Sequence, residues 1–146
     1  MPLLNTATLQ QRLTQAGIRP TLQRLAVAGV LLPKPVHLTA DQVLLRARTQ
    51  LPGLSRATVY EVLQLFTTQG LLKALPIEGA STVYDSNTGP HHHFYDVQTG
   101  EVADIPDSGL QVLGVAQALA GMALEGVDVI VRVRGLRPAG VAGATG

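Results

Sequence analysis

The chain has 146 residues, of which 46% are hydrophobic and 14% are charged, and it contains no cysteine. This composition predicts a soluble globular protein and excludes disordered and fibrous classes, while the missing thiols exclude disulfides, thiolate-bound zinc and cysteine nucleophiles. Any metal site must therefore use histidine and carboxylate ligands. No apolar stretch approaches the roughly 20 residues of a spanning helix and no secretory pattern is present, so we expect a cytoplasmic protein with no membrane partner.

The net charge of +1 conceals an uneven distribution of charged residues. Residues 1–84 contain eight basic and three acidic side chains, a net charge of +5, whereas residues 85–146 contain three basic and seven acidic ones, a net charge of −4. A basic half followed by an acidic half is typical of a module that contacts a polyanion joined to a module with another role. Chance fluctuation in a short chain is the alternative explanation.

Four helices are predicted in the basic half, from apolar residues that recur with helical spacing. The first is stopped by Gly17, whose missing Cβ suits the left-handed backbone after a helix end. The third begins with a capping-box pair, Thr39 and Gln42, and the fourth begins at Ser55, a residue type that caps helix N-termini well. In chain order, the predicted helices span residues 8–16, 20–33, 39–48 and 55–70.

A β-hairpin is predicted after the fourth helix, from two short extended runs at residues 71–75 and 82–84 that flank a turn. Helices followed by a hairpin are the outline of a winged helix-turn-helix domain, in which the helix before the wing enters the DNA major groove. We assign this domain to residues 1–84 and predict double-stranded DNA as its partner. The same outline also serves protein contacts, and that alternative stays open.

The predicted recognition helix carries polar side chains at its N-terminal end, where free backbone N–H groups also reach phosphates. Arg56 and Thr58 lie in its first turn, and Tyr60 is placed to pack on a thymine methyl or to bond a phosphate. A single exposed arginine is more often solvated surface, so it is the set on one helix that indicates DNA contact. The DNA-contacting residues that we predict are Arg19, Arg56, Thr58 and Tyr60.

The acidic half is predicted to form a small α/β module at residues 91–137, after a hinge at residues 85–90 and before a disordered tail at residues 138–146. Its hairpin, helix and last strand are expected at residues 94–105, 110–124 and 127–133, with Gly100 in the hairpin turn. About 45 residues are too few for an independent core, so we predict a homodimer. The predicted fold class is α+β, a winged helix-turn-helix domain followed by a small α/β dimerisation domain.

Five separated residues have the side chains of an all-nitrogen-and-oxygen metal site if they meet in space: His37, Asp85, His91, His93 and Asp104. On a strand, His91 and His93 project from the same side and His92 projects from the other, so the first two can chelate one ion. Three imidazoles and two carboxylates suit Fe(II), Mn(II) or Zn(II) and do not suit Cu(I). A histidine triplet taken alone is more often a solvated polar loop.

Four motifs resemble those of the ferric uptake regulator (Fur) family in order and spacing: residues 17–24 (GIRPTLQR), 37–41 (HLTAD), 57–60 with 69–71 (ATVY and QGL), and 91–94 (HHHF). The resemblance covers residues 10–134. It implies a dimeric regulator of transcription, a repressor, that binds palindromic operators in response to metal. It also implies that the five residues above are the family's regulatory metal site, with Fe(II) or Mn(II) as the first expectation and Zn(II) as the alternative. Since His37 lies in the DNA-binding half, metal occupancy is expected to set the domain arrangement.

The chain departs from the family pattern at residues 96 and 99. Asp96 and Thr99 stand where many members have a Cys-x-x-Cys pair that binds structural zinc. We therefore expect no cysteine-bound structural zinc, and a sheet that is held by packing alone.

Two branches of the family are similar to the chain. The histidine run and the last predicted strand resemble most the iron response regulator (Irr) branch, which implies control of iron and haem genes, with His92 as the candidate haem or second-site ligand. Asp104, in place of Glu, resembles the peroxide-sensing (PerR) branch, in which bound Fe(II) reacts with peroxide and oxidises a ligand histidine, here His37 or His91. Peroxide sensing is the alternative function.

An enzyme is the remote alternative, because two histidines and a carboxylate also form the facial triad of non-haem iron oxygenases. Such enzymes enclose the iron in a larger barrel with an apolar substrate pocket. The predicted winged helix leaves no room in this chain for that barrel. We therefore expect a regulator and no enzymatic activity.

Overall fold

The computed structural model describes residues 5–115 and 119–137. The chain forms two compact units, here called the N-terminal and the C-terminal unit, which divide between Thr88 and Gly89. The N-terminal unit contains α1 (Thr6–Gln15), α2 (Leu22–Leu31), β1 (His37–Thr39), α3 (Ala40–Ala47), α4 (Arg56–Thr68), β2 (Lys73–Leu75) and β3 (Val83–Asp85). The C-terminal unit contains β4 (His93–Asp96), β5 (Val102–Asp104), a 3-10 turn (Asp107–Gly109) and β6 (Ile130–Val133).

Each of the four helices begins at a side chain that accepts a hydrogen bond from a backbone N–H in the first turn. Thr39 accepts from the N–H of Gln42, and the Gln42 side chain accepts from the N–H of Thr39, so the predicted capping box is confirmed. Ser55 caps α4 through the N–H of Thr58. The four predicted helices are confirmed, and their ends differ from the prediction by about two residues or less.

The core of the N-terminal unit lies where the four helices pack together. Its fully buried side chains come from every helix: Leu13, Val27, Leu31, Val43, Val59, Leu63 and Phe66. These residues recur with the helical spacing from which the helices were predicted. The apolar pattern therefore determines both the elements and the face that each element buries.

A three-stranded antiparallel sheet completes the N-terminal unit, in the order β1-β3-β2. The predicted hairpin is confirmed as β2 and β3. The sequence did not predict β1, because three residues are too few to show alternation. β1 pairs with β3 so that His37 lies opposite Asp85. With α3 and α4 followed by this sheet, the winged helix-turn-helix prediction is confirmed.

The C-terminal unit is built on a second three-stranded sheet, in the order β5-β4-β6. β4 and β5 form the predicted antiparallel hairpin, and Gly100 in its turn has a φ of 77°, which favours glycine. β6 runs parallel to β4 and is shorter than the predicted strand. Together with the helices of the N-terminal unit, the two sheets confirm the α+β class.

The helix predicted over residues 110–124 is wrong for most of its length. Among the described residues of this range only Val115 is helical; residues 110–113 and 122–124 have no regular structure. The reason lies in the backbone, since Gly114 and Gly121 both adopt positive φ, at 84° and 74°, which interrupts a right-handed helix. Residues 116–118 and the tail predicted at residues 138–146 lie outside the described part of the chain.

Buried apolar side chains are distributed unequally between the units. Ile105 is the one buried hydrophobic residue among the described residues of the C-terminal unit. The same unit exposes Val97, Val112, Leu113, Met122 and Leu124. No helix among the described residues is both long enough and apolar enough to cross a membrane.

Candidate functional site

The imidazole rings of His91 and His93 lie together, with their centroids 4.3 Å apart. His93 begins β4 and is buried, and Asp104, the last residue of β5, is its partner in the antiparallel register. Asp104 Oδ1 lies 3.2 Å from His91 Nε2 and 3.6 Å from His93 Nε2. The C-terminal unit thus brings together three of the predicted ligands, which we call the C-terminal ligand group (His91, His93 and Asp104).

The backbone carbonyl of Gly89 orients the His91 ring. His91 Nδ1 lies 2.5 Å from this carbonyl oxygen, and because a carbonyl only accepts, Nδ1 carries the proton. In the neutral ring Nε2 then presents a lone pair to the Asp104 carboxylate, which is also an acceptor when ionised. Two facing acceptors need a cation between them, either a second proton on His91 or a metal ion. Hydrogen bonds of the Gly89 kind commonly orient histidines that bind metals.

His92 has a different partner from its two neighbours. Its Nδ1 accepts a hydrogen bond of 3.1 Å from the backbone N–H of Val129. In the neutral ring Nε2 therefore carries the proton, and Nε2 cannot bind a metal ion or haem iron while this hydrogen bond is kept. This geometry argues against the expectation that His92 is a haem or second-site ligand.

The other two predicted ligands meet within the N-terminal unit, and we call them the N-terminal ligand group (His37 and Asp85). His37 Nε2 lies 3.2 Å from Asp85 Oδ2, and the two residues are cross-strand partners of β1 and β3. The Asp85 side chain is fully buried, and its Oδ1 accepts a hydrogen bond of 2.8 Å from the N–H of Asn87. Asp85 is the last residue of β3, and that strand pairs with β1 on one side and with β2 on the other. The position of the Asp85 carboxylate is therefore fixed by the sheet and by the hydrogen bond from Asn87.

The spacing of both groups fits transition-metal binding. Two ligand atoms that each lie about 2.0–2.2 Å from one ion, at an angle of roughly 90° to 110°, are about 2.8–3.6 Å apart. The distances of 3.2 Å within the N-terminal group and of 3.2 and 3.6 Å within the C-terminal group lie in this range. Imidazole and carboxylate are also the ligand types that Fe(II), Mn(II) and Zn(II) accept.

The predicted DNA-contacting residues of α4 lie at its exposed N-terminal end. Arg56 forms an ion pair with Asp41 of α3, in which the Arg56 Nη1 donates to the Asp41 Oδ1. The Ser55 hydroxyl donates to the Thr58 hydroxyl at 2.9 Å, which orients both side chains. Arg19 is exposed and precedes α2, and its carbonyl accepts a hydrogen bond from the Arg24 guanidinium. Sequence reasoning missed Asp41, because a lone acidic residue in a helix gives no sign of its partner.

Tyr60, the fourth predicted DNA contact, is 49% exposed and lines a polar recess of about 150 Å³. The recess is also lined by Tyr84 of β3 and by Thr82, which precedes that strand. Burial raises the pKa of Tyr84 above its ordinary value, and the neighbouring Tyr60 raises it further. Tyr84 is therefore a neutral hydrogen-bonding group at neutral pH.

The expectation that packing alone holds the C-terminal sheet is wrong, because the Asp96 side chain also holds it through hydrogen bonds. Its buried carboxylate accepts hydrogen bonds from the N–H groups of Leu136 at 2.8 Å, Gln98 at 2.8 Å and Thr99 at 3.1 Å. These backbone hydrogen bonds, that of Leu136 above all, hold the pKa of Asp96 below its ordinary value. The carboxylate joins the β4–β5 turn to the segment after β6. An aspartate directly before a turn is the signal that identifies such a residue.

Comparison with protein families gives one match that spans most of the chain. The model of the family described as "Ferric uptake regulator family" matches residues 15–131. Curated relatives include the peroxide-responsive repressor PerR of Staphylococcus aureus, which is 37% identical over 92 residues in one strain. That alignment covers 63% of this chain and 62% of the relative, so the chain spans less than two thirds of the length of these relatives.

Solved structures show the same fold. The ferric uptake regulator of Vibrio cholerae superposes with a TM-score of 0.66 at 26% identity, over 86% of this chain and 98% of that one. The ferric uptake regulator of Pseudomonas aeruginosa, solved with manganese, gives a TM-score of 0.61 at 26% identity, over 86% of this chain and 96% of that one. The peroxide stress regulator of Campylobacter jejuni superposes with a TM-score of 0.62 at 22% identity, over 94% of this chain and 98% of that one. At this identity the likeness shows the fold alone.

Proposed function

Since the chain belongs to the ferric uptake regulator family, we propose that it is a metal-responsive repressor that binds double-stranded DNA as a homodimer in the cytoplasm. The winged helix-turn-helix domain, with an exposed Arg56 at the start of α4, supports DNA as the partner. The curated relatives are repressors and the similar structures are regulators. The alternative of a non-haem iron enzyme is therefore discarded.

The observation that carries the metal response is the Asp104 carboxylate, which faces the Nε2 atoms of both His91 and His93. We propose that the C-terminal and N-terminal ligand groups bind one divalent ion together. A bound ion supplies a positive charge that five acceptor groups share. Fe(II) and Mn(II) are the metals that we propose first, with Zn(II) as the alternative, and relatives of known structure include one solved with manganese.

The proposed coupling follows from the placement of the ligands in the chain. His37 and Asp85 belong to the N-terminal unit, and the C-terminal ligand group belongs to the other. If all five residues bind one ion, metal binding favours one arrangement of the two units. A change in population from about 1:99 to 99:1 requires roughly 5.5 kcal/mol of preference, which several ligand bonds present in one state supply.

The test is the variant His37→Ala, which we expect to lose the metal dependence of DNA binding and to keep its dimeric state. DNA affinity is measured by fluorescence anisotropy with and without Mn(II), on a duplex selected from a randomised pool by the Mn(II)-loaded wild-type protein. His92→Gln is the matched control, because its imidazole is outside both ligand groups. Metal-dependent DNA binding that is unchanged in His37→Ala would refute the shared site.

A second candidate, peroxide sensing, is favoured by the names of the curated relatives, which are peroxide-responsive repressors. In that case the Fe(II)-loaded protein incubated with hydrogen peroxide gains one oxygen atom on His37 or His91 and loses DNA affinity. Mass spectrometry of the peptides that contain these two residues measures the gain. The Mn(II)-loaded protein is the control, and equal oxidation of both forms would exclude the candidate.

Control of iron and haem genes is a more specific proposal for the regulator. It rests on the resemblance of the histidine run at residues 91–93 to that of the iron response regulator branch. Haem as the signal would need an imidazole nitrogen that is available to iron, and His92 Nδ1 is engaged by the N–H of Val129. A haem titration followed by absorbance separates this assignment from the metal response. A Soret shift that is lost in His92→Gln would support haem control.

A further inference from the structure

Arg56 is paired with an acidic residue from the other helix of the helix-turn-helix. Arg56 is the first residue of α4, directly after the cap Ser55, and its Nη1 donates to Oδ1 of Asp41. Asp41 is the second residue of α3. The ion pair therefore links the first turn of α3 to the first turn of α4, the end from which a recognition helix contacts base edges.

The pair lies in solvent and uses only part of the guanidinium. The side chains of Arg56 and Asp41 are 60% and 66% exposed. Exposed ion pairs of this kind contribute little to folding stability. The described contact uses one of the five N–H donors of the arginine, so other donors face solvent and can reach a base edge or a phosphate. A role in stabilising the fold is thus the weaker explanation for the pair.

Asp41 itself is held by a rigid helix start. Thr39 and Gln42 exchange hydrogen bonds in the capping box on either side of it, at 3.3 and 2.9 Å. Its negative charge also lies in the first turn of α3, where the helix dipole favours an anion. Arginine loses side-chain entropy when DNA orders it. The backbone of Asp41 is therefore fixed, and its carboxylate limits the positions of the paired Arg56 side chain before DNA binds.

We propose that Asp41 is a specificity-determining residue, which orients Arg56 for one base step and opposes binding to other DNA. This inference rests on the proposed DNA-binding function. Orientation strengthens binding to the operator, because the arginine is already in place. The carboxylate weakens binding to any sequence at which Arg56 contacts only phosphate, because the two anions then repel each other. Both effects increase the ratio of operator affinity to non-specific affinity.

The experiment measures this ratio for wild type, Asp41→Asn, Arg56→Ala and the double variant. Each Mn(II)-loaded protein is titrated onto the duplex selected from a randomised pool by the wild type, and onto a scrambled duplex of equal length and composition. Asp41→Asn is expected to lower the ratio about three- to fivefold, less than the roughly tenfold loss expected when Arg56→Ala removes the arginine–base contact itself. Glu101→Gln, an exposed residue of the C-terminal unit, is the matched control for the loss of one negative charge.

In the Arg56→Ala background, the Asp41→Asn change should leave the ratio within twofold or so, because the orienting role needs the arginine. A ratio that is unchanged in Asp41→Asn, or that falls equally with and without Arg56, overturns the inference and leaves the proposed function intact. A wild-type protein that selects no sequence from the pool overturns the proposed function, and the inference with it. Circular dichroism checks that each variant is folded.

Discussion

Asp104 is the residue on which the C-terminal ligand group depends, since its Oδ1 faces both histidine nitrogens. Asp104→Asn replaces this anionic oxygen by a neutral amide. We expect the variant to bind Mn(II) at least about 10- to 100-fold more weakly. Metal affinity falls by about this factor even when the residue replaced is only hydrogen-bonded to a metal ligand. Isothermal titration calorimetry measures the affinity. Asp107→Asn, an exposed residue three positions on, is the control; equal losses in both variants would contradict the assignment.

His92 tests the same site by contrast. His92→Gln removes the Nδ1 that accepts from the Val129 N–H in a part-buried hydrogen bond, so it should lower the free energy of unfolding by about 0.5–1.5 kcal/mol and leave Mn(II) affinity within a factor of two or so. His91→Gln should instead cause a large loss of Mn(II) affinity with little change in the free energy of unfolding. Urea unfolding of the metal-free proteins and calorimetric Mn(II) titration measure the two effects. A metal affinity that falls in both variants to the same degree would show that His92 is a ligand.

Part of this candidate site could be predicted from the sequence. The alternation of His91 and His93 against His92 follows from strand geometry. The groups that orient the rings could not be predicted, because Gly89 and Val129 act through their backbone, which every residue has. The partner of Arg56 was hidden for a similar reason, since Asp41 lies 15 residues away on another helix.

At the scale of elements, the start of α3 joins a strand directly to a helix, because Thr39 is both the last residue of β1 and the N-cap of α3. Thr39→Ala removes the hydroxyl that accepts from the N–H of Gln42. We expect the free energy of unfolding to fall by about 1 kcal/mol, the usual value of an N-cap. Urea unfolding of the metal-free protein measures it. Thr39→Ser, which keeps the hydroxyl, should retain most of the stability, and an equal loss in both variants would show that the cap is not the cause.

Asp96 makes the stability of the C-terminal sheet depend on pH. Its folded pKa is lower than its unfolded value of about 4, so the unfolded chain binds more protons between the two values. The contribution of Asp96 is therefore complete above about pH 5 and is lost as pH falls through the folded pKa. Asp96→Asn should be less stable than wild type at neutral pH, and the difference should shrink towards pH 3 or so. Urea unfolding followed by circular dichroism measures it; a difference that is constant with pH would contradict the role.

The elements themselves show where sequence patterns suffice. The helices of the N-terminal unit were predictable because their caps and apolar spacing are local, as Thr39 with Gln42 shows. β1 was not, since its three residues depend on pairing with β3. Residues 110–124 have apolar spacing that suits a helix, but the positive φ values of Gly114 and Gly121 prevail over that pattern.

For the whole molecule, the two units differ in what they bury and in charge. The N-terminal unit encloses the helical core, whereas Ile105 is the one buried apolar residue among the described residues of the C-terminal unit. So few buried apolar side chains among the described residues favour a partner that buries the exposed ones. Acidic side chains outnumber basic ones after residue 84. Because this half and DNA are both negatively charged, DNA is not a suitable partner to bury its exposed apolar residues. A second copy of the chain, as in our proposed homodimer, is the cover that fits.

The dimer is tested with two exposed leucines, Leu113 of the C-terminal unit, 77% exposed, and Leu45 of α3, 74% exposed. Burial of a leucine in an interface stabilises it by about 1.5–3 kcal/mol, and a lysine there leaves a charge without water. Leu113→Lys should therefore weaken dimerisation by a factor of about ten or more, whereas Leu45→Lys should leave it unchanged. Sedimentation equilibrium over a range of protein concentrations measures both. Equal dimer dissociation constants for Leu113→Lys and wild type would place the interface elsewhere, and weakening by Leu45→Lys alone would assign it to the N-terminal unit.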